Sequence, residues 1–313
     1  MADRIETCLA CGSEELRAWA FLPAQMHPTN EEFEFQRCGN CGLVQLNPRV
    51  SPEELGRYYT RYYLPFRGPE AWGKYAPLVA MNLRKTDRKR SALARRALSG
   101  QRPGRAGRVL DVGCGKPTFL ELLQSQTGCY AKGIDFSDEG WRSEASRFAG
   151  LDLEVAEFKH FEADTTFDLI TMWHYLEHDY HPRETLRRMK AVAHNDTRLL
   201  IEVPNFASWT RMLQGRYWEG FHTPRHTAVY SPATLQRLLE RSGWRIEQLR
   251  RYGTLDAYPL FWMGLQERGG IDWSASMEGK FMGFMAGMLL TAPLFLLKRW
   301  LPAGVMTVVA RPE

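Results

Sequence analysis

From Arg108 onward the chain alternates short apolar runs with helical segments, and this pattern restricts its fold more than any other feature. The order is RVLDVG, a helix from Thr118, YAKGID, SDEGWRSEASRFAG as a helix, LDLEVAEF, FDLITMW, RETLRRMKAVA as a helix, and RLLIEVP. Such alternation predicts an α/β fold built on a parallel, doubly wound sheet. Further on, SPATLQRLLERSG reads as a helix that opens at Ser231-Pro232 and stops at Gly243, and WRIEQLRRYG and GVMTVVARP read as two more strands.

The first strand runs directly into a glycine-rich loop. VLDVGCGKP places Gly113 and Gly115 where a backbone that turns sharply and admits a ligand needs residues without Cβ. Asp135 ends the second strand, where a carboxylate can accept both hydroxyls of a ribose. With these residues the segment 104–313 resembles the class I S-adenosylmethionine-dependent methyltransferases. Their D/E-x-G-x-G-x-G motif is matched by Asp111, Gly113 and Gly115, with Pro117 in place of the third glycine; proline is favoured at a helix's first positions. The longer G-x-G-x-x-G spacing of nicotinamide-binding domains is not met. The resemblance implies a seven-stranded Rossmann-like domain with an antiparallel last strand. It also implies that Asp111, Gly113 and Gly115 flank the methionine part of the cofactor and that Asp135 holds the ribose. Phe136 would border the adenine, Glu157 would cap its amine, and Trp173 and His174 would follow the fourth strand beside the cofactor.

Four of the six cysteines form two pairs, Cys8-x2-Cys11 and Cys38-x2-Cys41. Each pair is followed by glycine, in CLACG and CGNCG, which suits a tight knuckle turn, and two such turns complete a tetrahedral zinc site. With four protein ligands no coordination position stays open, so the expected zinc is structural. MADRIETCLACG shows no basic region followed by an apolar run, and a reducing cytoplasm is the expected compartment. The domain organisation expected is a zinc ribbon over 1–48, a helical connector over 49–103 and the methyltransferase domain over 104–313. In the connector, Ser51-Pro52 marks a helix start and tyrosines 58, 59, 62 and 63 suggest core packing.

Methyl transfer to a hydroxyl needs a base near neutral pH, for which histidine is suited. FDLITMWHYLEHDYHP offers His174 and His178, four apart and able to share one face of a short helix; FHTPRHTAVYS offers His222 and His226. His178 and His226 are the leading candidates, with His174 behind them. The combination of CGNCGLVQLNP, FDLITMWHYLEH, PNFASW and PRH resembles zinc-binding methyltransferases of sugar and glycan pathways. Sugar C-methyltransferases of that group usually carry Glu-His where this chain has Arg225-His226. The resemblance therefore implies O-methylation of a sugar hydroxyl in a glycan, lipid-linked glycan or related metabolite, with Arg225 free to grip a phosphate or carboxylate. C-methylation of a nucleotide-linked keto-sugar is the nearest alternative.

The net charge of +5 fits anionic partners, and much of it lies in NLRKTDRKRSALARR, Asn82 to Arg96, read as a solvated basic helix face. That stretch lacks the interleaved aromatics expected for base stacking, so nucleic acid is not the expected partner. A nucleic-acid methyltransferase and an inactive cofactor-binding scaffold remain as readings from other classes. The apolar stretch FMGFMAGMLLTAPLFLL, Phe281 to Leu297, lies in an insertion over about 256–302 before the last strand. Pro293 divides it, which suggests a kinked helix or helical hairpin, and Gly283 and Gly287 permit close helix approach. It reads either as a cap over the substrate or as a peripheral membrane surface over 281–300, with Lys298, Arg299 and Trp300 at the interface.

Overall fold

The computed structural model describes residues 3–99, 106–297 and 299–313. Strands β1 (Leu16–Pro23), β2 (Glu32–Cys38) and β3 (Val44–Leu46) precede helices α1 (Pro52–Leu55), α2 (Leu64–Arg67) and α3 (Ala76–Leu98). Then follow β4 (Arg108–Val112), α4 (Thr118–Thr127), β5 (Tyr130–Asp135), β6 (Asp152–Val155), β7 (Phe167–Trp173), α5 (Pro182–Arg188) and β8 (Ala193–Pro204). The remainder is α6 (Trp209–Gln214), β9 (Ala228–Val229), α7 (Pro232–Arg241), β10 (Trp244–Arg250), α8 (Ala257–Arg268), α9 (Phe281–Leu296) and β11 (Val305–Pro312). The chain packs as two compact units that interleave in sequence. The first comprises 1–83, 204–235 and 251–305, and the second 84–203, 236–250 and 306–313. The division at 48 and 103 follows changes of sequence pattern, whereas packing groups the chain differently; the boundary between 103 and 104 lies outside the described residues.

The second unit carries the seven-stranded sheet, in the order β10-β11-β8-β7-β4-β5-β6. β4 runs parallel to β5 and β7, β5 to β6, and β7 to β8, while β10 and β11 pair antiparallel. Every residue of β7 is buried, as a central strand covered on both faces requires. Val109, Phe119, Leu120, Leu123, Leu169 and Leu200 form the core beside it. α4 starts at Thr118, immediately after Pro117, and Gly243 stops α7 with φ +78°. Two helix expectations fail here. SDEGWRSEASRFAG holds only a short 3-10 turn, Arg142–Glu144. A Cβ at Gly140 would lie 2.3 Å from the Gly115 carbonyl oxygen, so this segment is pressed backbone to backbone on the glycine loop, and Asp138 O is taken by the N–H groups of Trp141 and Arg142. Residues 174–178 form a turn instead of a helix, entered through His174 at φ +57°.

In the first unit, β1, β2, β3 and β9 make a four-stranded sheet. β9 pairs with β3 through Val44↔Val229 and Gln45↔Ala228, so the ribbon's sheet is completed by residues far outside 1–48. Leu22, Phe35, Leu46, Trp218 and Phe221 pack together over it. The connector is helical from α1, whose N-cap is Ser51 followed by Pro52. Tyr63 joins the buried cluster of Trp72, Phe261, Trp262 and Phe281, with Tyr59 and Tyr62 against it, as core packing required.

The apolar stretch is one continuous helix through Pro293, and the helical hairpin is made by α8 with α9. Gly287 explains the close approach: Tyr258 Oη donates to Phe284 O at 2.8 Å, and a Cβ on Gly287 would lie 2.3 Å from that oxygen. Gly283 has no neighbour there within 4 Å. Gly287→Ala is therefore expected to be less stable than Gly283→Ala by about 1–2 kcal/mol, since both gain the same helix propensity but only the first displaces a hydrogen bond. Denaturant melts of the two variants check this, and equal midpoints would refute the packing assignment.

Candidate cofactor site, histidine clamp and cysteine cluster

The glycine loop of the second unit is built from β4 toward α4. Gly113 turns with φ +72° and Gly115 with φ +49°, a region that side chains enter only with strain. Gly113 and Cys114 donate their N–H groups to Ile134 O at 2.9 and 3.1 Å, which fastens the loop to the end of β5. Tyr175 covers Gly113, where a Cβ would come within 2.5 Å of the ring, whereas the Cβ position at Gly115 faces open space. Beside that space Asp135 accepts from Gly115 N at 2.9 Å and from Ser137 N at 3.3 Å. Burial pushes its carboxyl upward, and the backbone N–H groups oppose this. Phe136 is 72% exposed. Glu157 follows β6, where Ala156 N donates to Asp135 O, and its exposed carboxylate pairs with Lys159.

Asp111 lies deeper. It is buried and accepts from Thr171 Oγ1 at 2.5 Å, and burial pushes its carboxyl up to about 7, against the opposing effect of that hydrogen bond. Trp173 is also buried, with Phe119 edge-on at 5.3 Å and the Arg90 guanidinium 4.9 Å from its ring. Thus Gly115, Asp135 and Phe136 meet at an accessible surface, while Asp111 and Trp173 sit in the packing behind it.

His174 is clamped. Its Nδ1 lies 3.2 Å from Glu177 Oε1 and its Nε2 3.2 Å from Glu202 Oε1, both carboxylates fully buried. Thr307 Oγ1 donates to the other Glu202 oxygen at 3.1 Å. Burial alone would lower the imidazole, but its hydrogen bonds to the two carboxylates outweigh it and raise it to about 9. At neutral pH His174 is an imidazolium with both N–H groups donated, so it has no lone pair to take a proton. This removes it from the set of bases. Sequence reasoning missed both carboxylates: Glu177, three residues away in the same motif, and Glu202, which comes from β8. Tyr175 and Thr171 were likewise missed, because their roles depend on the loop packing on its neighbours.

The family described as a methyltransferase domain matches residues 83–249, more than half of the chain. The chain belongs to this methyltransferase family. No curated protein sequence matches it. Among solved structures, the 1,6-didemethyltoxoflavin-N1-methyltransferase of Burkholderia thailandensis is similar over 88% of this chain and 96% of its own, at 14% identity and a TM-score of 0.50. The mycolic acid cyclopropane synthase CmaA1 is similar over 71% of this chain and 82% of its own, at 16% identity and a TM-score of 0.50. These likenesses agree with the seven-stranded sheet and establish the class I methyltransferase fold.

The methyltransferase's other histidines are held differently. His178 is half-buried in the 174–178 turn, its N–H donated to Tyr175 O at 3.0 Å. In the first unit the buried His226 has Nδ1 2.8 Å from Gly220 O, and since a carbonyl only accepts, Nδ1 carries a proton. Arg225 corrects an expectation. It is fully buried, and its guanidinium donates to Tyr58 O at 2.6 and 2.9 Å, Gln25 O at 3.0 Å and Met26 O at 3.2 Å, with the Tyr63 ring 4.2 Å away. An arginine spent on three carbonyls does not grip a substrate phosphate; it ties the ribbon, the connector and the 220s loop together within the first unit.

The methyltransferase's cysteine cluster is also in the first unit. Cys8 Sγ and Cys41 Sγ are 3.5 Å apart, Cys11 Sγ and Cys38 Sγ 3.6 Å, and all four sulfurs lie within 4.8 Å of one another. A tetrahedron with ~2.3 Å Zn–S bonds sets its sulfurs ~3.8 Å apart, so the cluster fits such an ion. The two knuckles match each other: Gly12 (φ +73°) donates to Cys8 O at 2.9 Å, and Gly42 (φ +80°) to Cys38 O at 3.0 Å. Hydrogen bonding from Cys8 holds the Cys41 thiol down at about 5 and pushes Cys8 upward, as expected for thiols crowded around one point.

Proposed function

We propose that this chain is an S-adenosylmethionine-dependent O-methyltransferase that acts on a sugar hydroxyl of a glycan, lipid-linked glycan or related metabolite. The observation that carries the cofactor assignment is the open face of Gly115 beside the half-buried Asp135 carboxylate, within a class I methyltransferase fold. Bound there, S-adenosylmethionine supplies an electrophilic methyl group. Asp135 would accept from the ribose hydroxyls, Phe136 would border the adenine and Glu157 its amine. The chain's own contribution to chemistry is alignment of the acceptor oxygen and removal of its proton. We assign the base to His178, with His226 as the alternative, since the protonated His174 is unsuited to it. O-methylation is favoured over C-methylation because Arg225 stands where sugar C-methyltransferases carry glutamate, and its guanidinium is taken up by backbone carbonyls, so the carboxylate is not replaced.

Zinc in the cysteine cluster is assigned a structural role, because the four sulfurs fill a tetrahedral shell. All six cysteines are unbridged, which suits the reducing cytoplasm we assign to the protein.

The test is methyl transfer from S-adenosylmethionine to pools of glycans and lipid-linked sugars, read by mass spectrometry as a gain of one methyl. Asp135→Ala should weaken cofactor binding about tenfold to a hundredfold, the cost of losing charge-assisted hydrogen bonds. His178→Ala or His226→Ala should slow turnover by about 10²–10⁴-fold with cofactor binding retained. Full turnover in both histidine variants would sink the base assignment, and cofactor binding without transfer to any hydroxylated acceptor would instead mark a scaffold.

A further inference from the structure

α9 has two apolar faces where a surface helix of a water-soluble domain has one. Its inner face, Phe281, Phe284, Met285, Met288 and Phe295, packs in the first unit's aromatic cluster. Its outer face exposes Met282, Leu289, Leu290, Leu294 and Leu296, with Leu290 at 83%, and the partly exposed Thr291 turns its hydroxyl back to Gly287 O at 2.7 Å. By length and composition Glu278–Leu296 could cross a membrane, at a mean hydropathy of 1.4. Crossing once is incompatible with the fold, because β10 before it and β11 after it pair in one sheet. α6 adjoins the C-terminal half of α9 through Trp209, whose ring is 5.5 Å from Phe295, and exposes Met212 and Leu213 beside it.

The charge at the two ends of α9 is predominantly positive, and Glu278, just before Lys280, is already paired with Lys74 at 3.3 Å. Lys280 is exposed before the helix, and Arg299 and Trp300 are exposed after it, with Trp300 at 74%; Lys298 lies outside the described residues. No Asp or Glu occurs from Gly279 to Pro312. A second copy of the chain is a poor occupant, since any two-fold pairing of α9 sets these end cations against cations, whichever way the helices run. An anionic lipid surface satisfies both features: acyl chains cover the leucines, and headgroups meet Arg299 and Lys280 with the indole at their level.

We propose that the first unit docks on anionic bilayers through the outer face of α9, as a helix lying in the interface and not spanning it. The inference stands apart from the acceptor assignment, because vesicle binding is read without turnover, and its failure would leave methyl transfer untouched. The full chain is floated with phosphatidylcholine vesicles with and without phosphatidylglycerol. Binding is expected with phosphatidylglycerol and should weaken with added salt. Leu290→Glu should cut the bound fraction at least about tenfold by placing a charge where an exposed leucine inserts. Because Leu290 is so exposed, an unchanged thermal melt is expected and shows that folding is not the cause. Arg142→Glu, an exposed charge reversal in the second unit, should float as the wild type does. The proposal is overturned if the chain does not float, or if Leu290→Glu floats equally well. It is also overturned if Arg142→Glu is lost to the same degree, or if sedimentation shows a dimer that Leu290→Glu abolishes.

Discussion

His174→Ala is expected to destabilise the second unit by about 3–5 kcal/mol, because it leaves two buried carboxylates without their shared cation. Glu177 and Glu202 are fully buried on either side of the ring, and Thr307 Oγ1 donates to Glu202. The same clamp sets a pH dependence. In the folded protein His174 is raised from its ordinary 6.5 to about 9, so the folded state holds its proton more tightly than the unfolded chain does. The stability it contributes is complete below about 6.5 and is lost as pH rises through about 9, by an amount on the order of 3 kcal/mol. His174→Gln should flatten the stability curve across that window. Asp111 is raised as well, to about 7, so its titration falls lower and is common to both proteins. Denaturant unfolding from pH 6 to pH 9 makes the comparison; parallel curves for wild type and His174→Gln would show that the clamp does not hold a proton.

The second large effect is expected from the cysteine cluster. Metal analysis should find about one zinc per chain, and Cys38→Ser should lose it together with several kcal/mol of stability, since metal binding in such sites is folding free energy. The reason is local. β3 and β9, which complete the ribbon's sheet, are only three and two residues long, and Cys38 is both the last residue of β2 and a member of the sulfur cluster. Chelation should therefore expose the ribbon to proteolysis between residues 1 and 48 before the seven-stranded sheet yields. Reduced, chelator-free protein that contains no zinc yet resists protease would refute the assignment.

Much of this was legible because periodicity and spacing are local. The strands from RVLDVG to RLLIEVP, the start of α4 at Thr118, the stop at Gly243 and both glycine knuckles fall where hydrophobic pattern and turn chemistry place them. The errors share one cause, which is a local preference overruled by a distant partner. SDEGWRSEASRFAG has helical composition, but Gly140 is pressed on the glycine loop. HYLEH has helical spacing, but His174 adopts φ +57° between carboxylates from two segments. Arg225 resembles a ligand-gripping arginine until three carbonyls from residues 25, 26 and 58 converge on it.

Local sequence was enough for the parallel sheet, the glycine loop with a carboxylate at the end of the next strand, and a four-cysteine site, since each depends on residues close together in the chain or on a fixed spacing. Tertiary structure alone decided which groups carry charge. The imidazolium of His174, the buried guanidinium of Arg225 and the raised carboxyl of Asp111 each reflect the balance between burial and partners brought from elsewhere, a balance that residue type and spacing do not contain. It also decided that α9 keeps an apolar face outward, because which side of an all-apolar helix is covered depends on what the rest of the chain places against it.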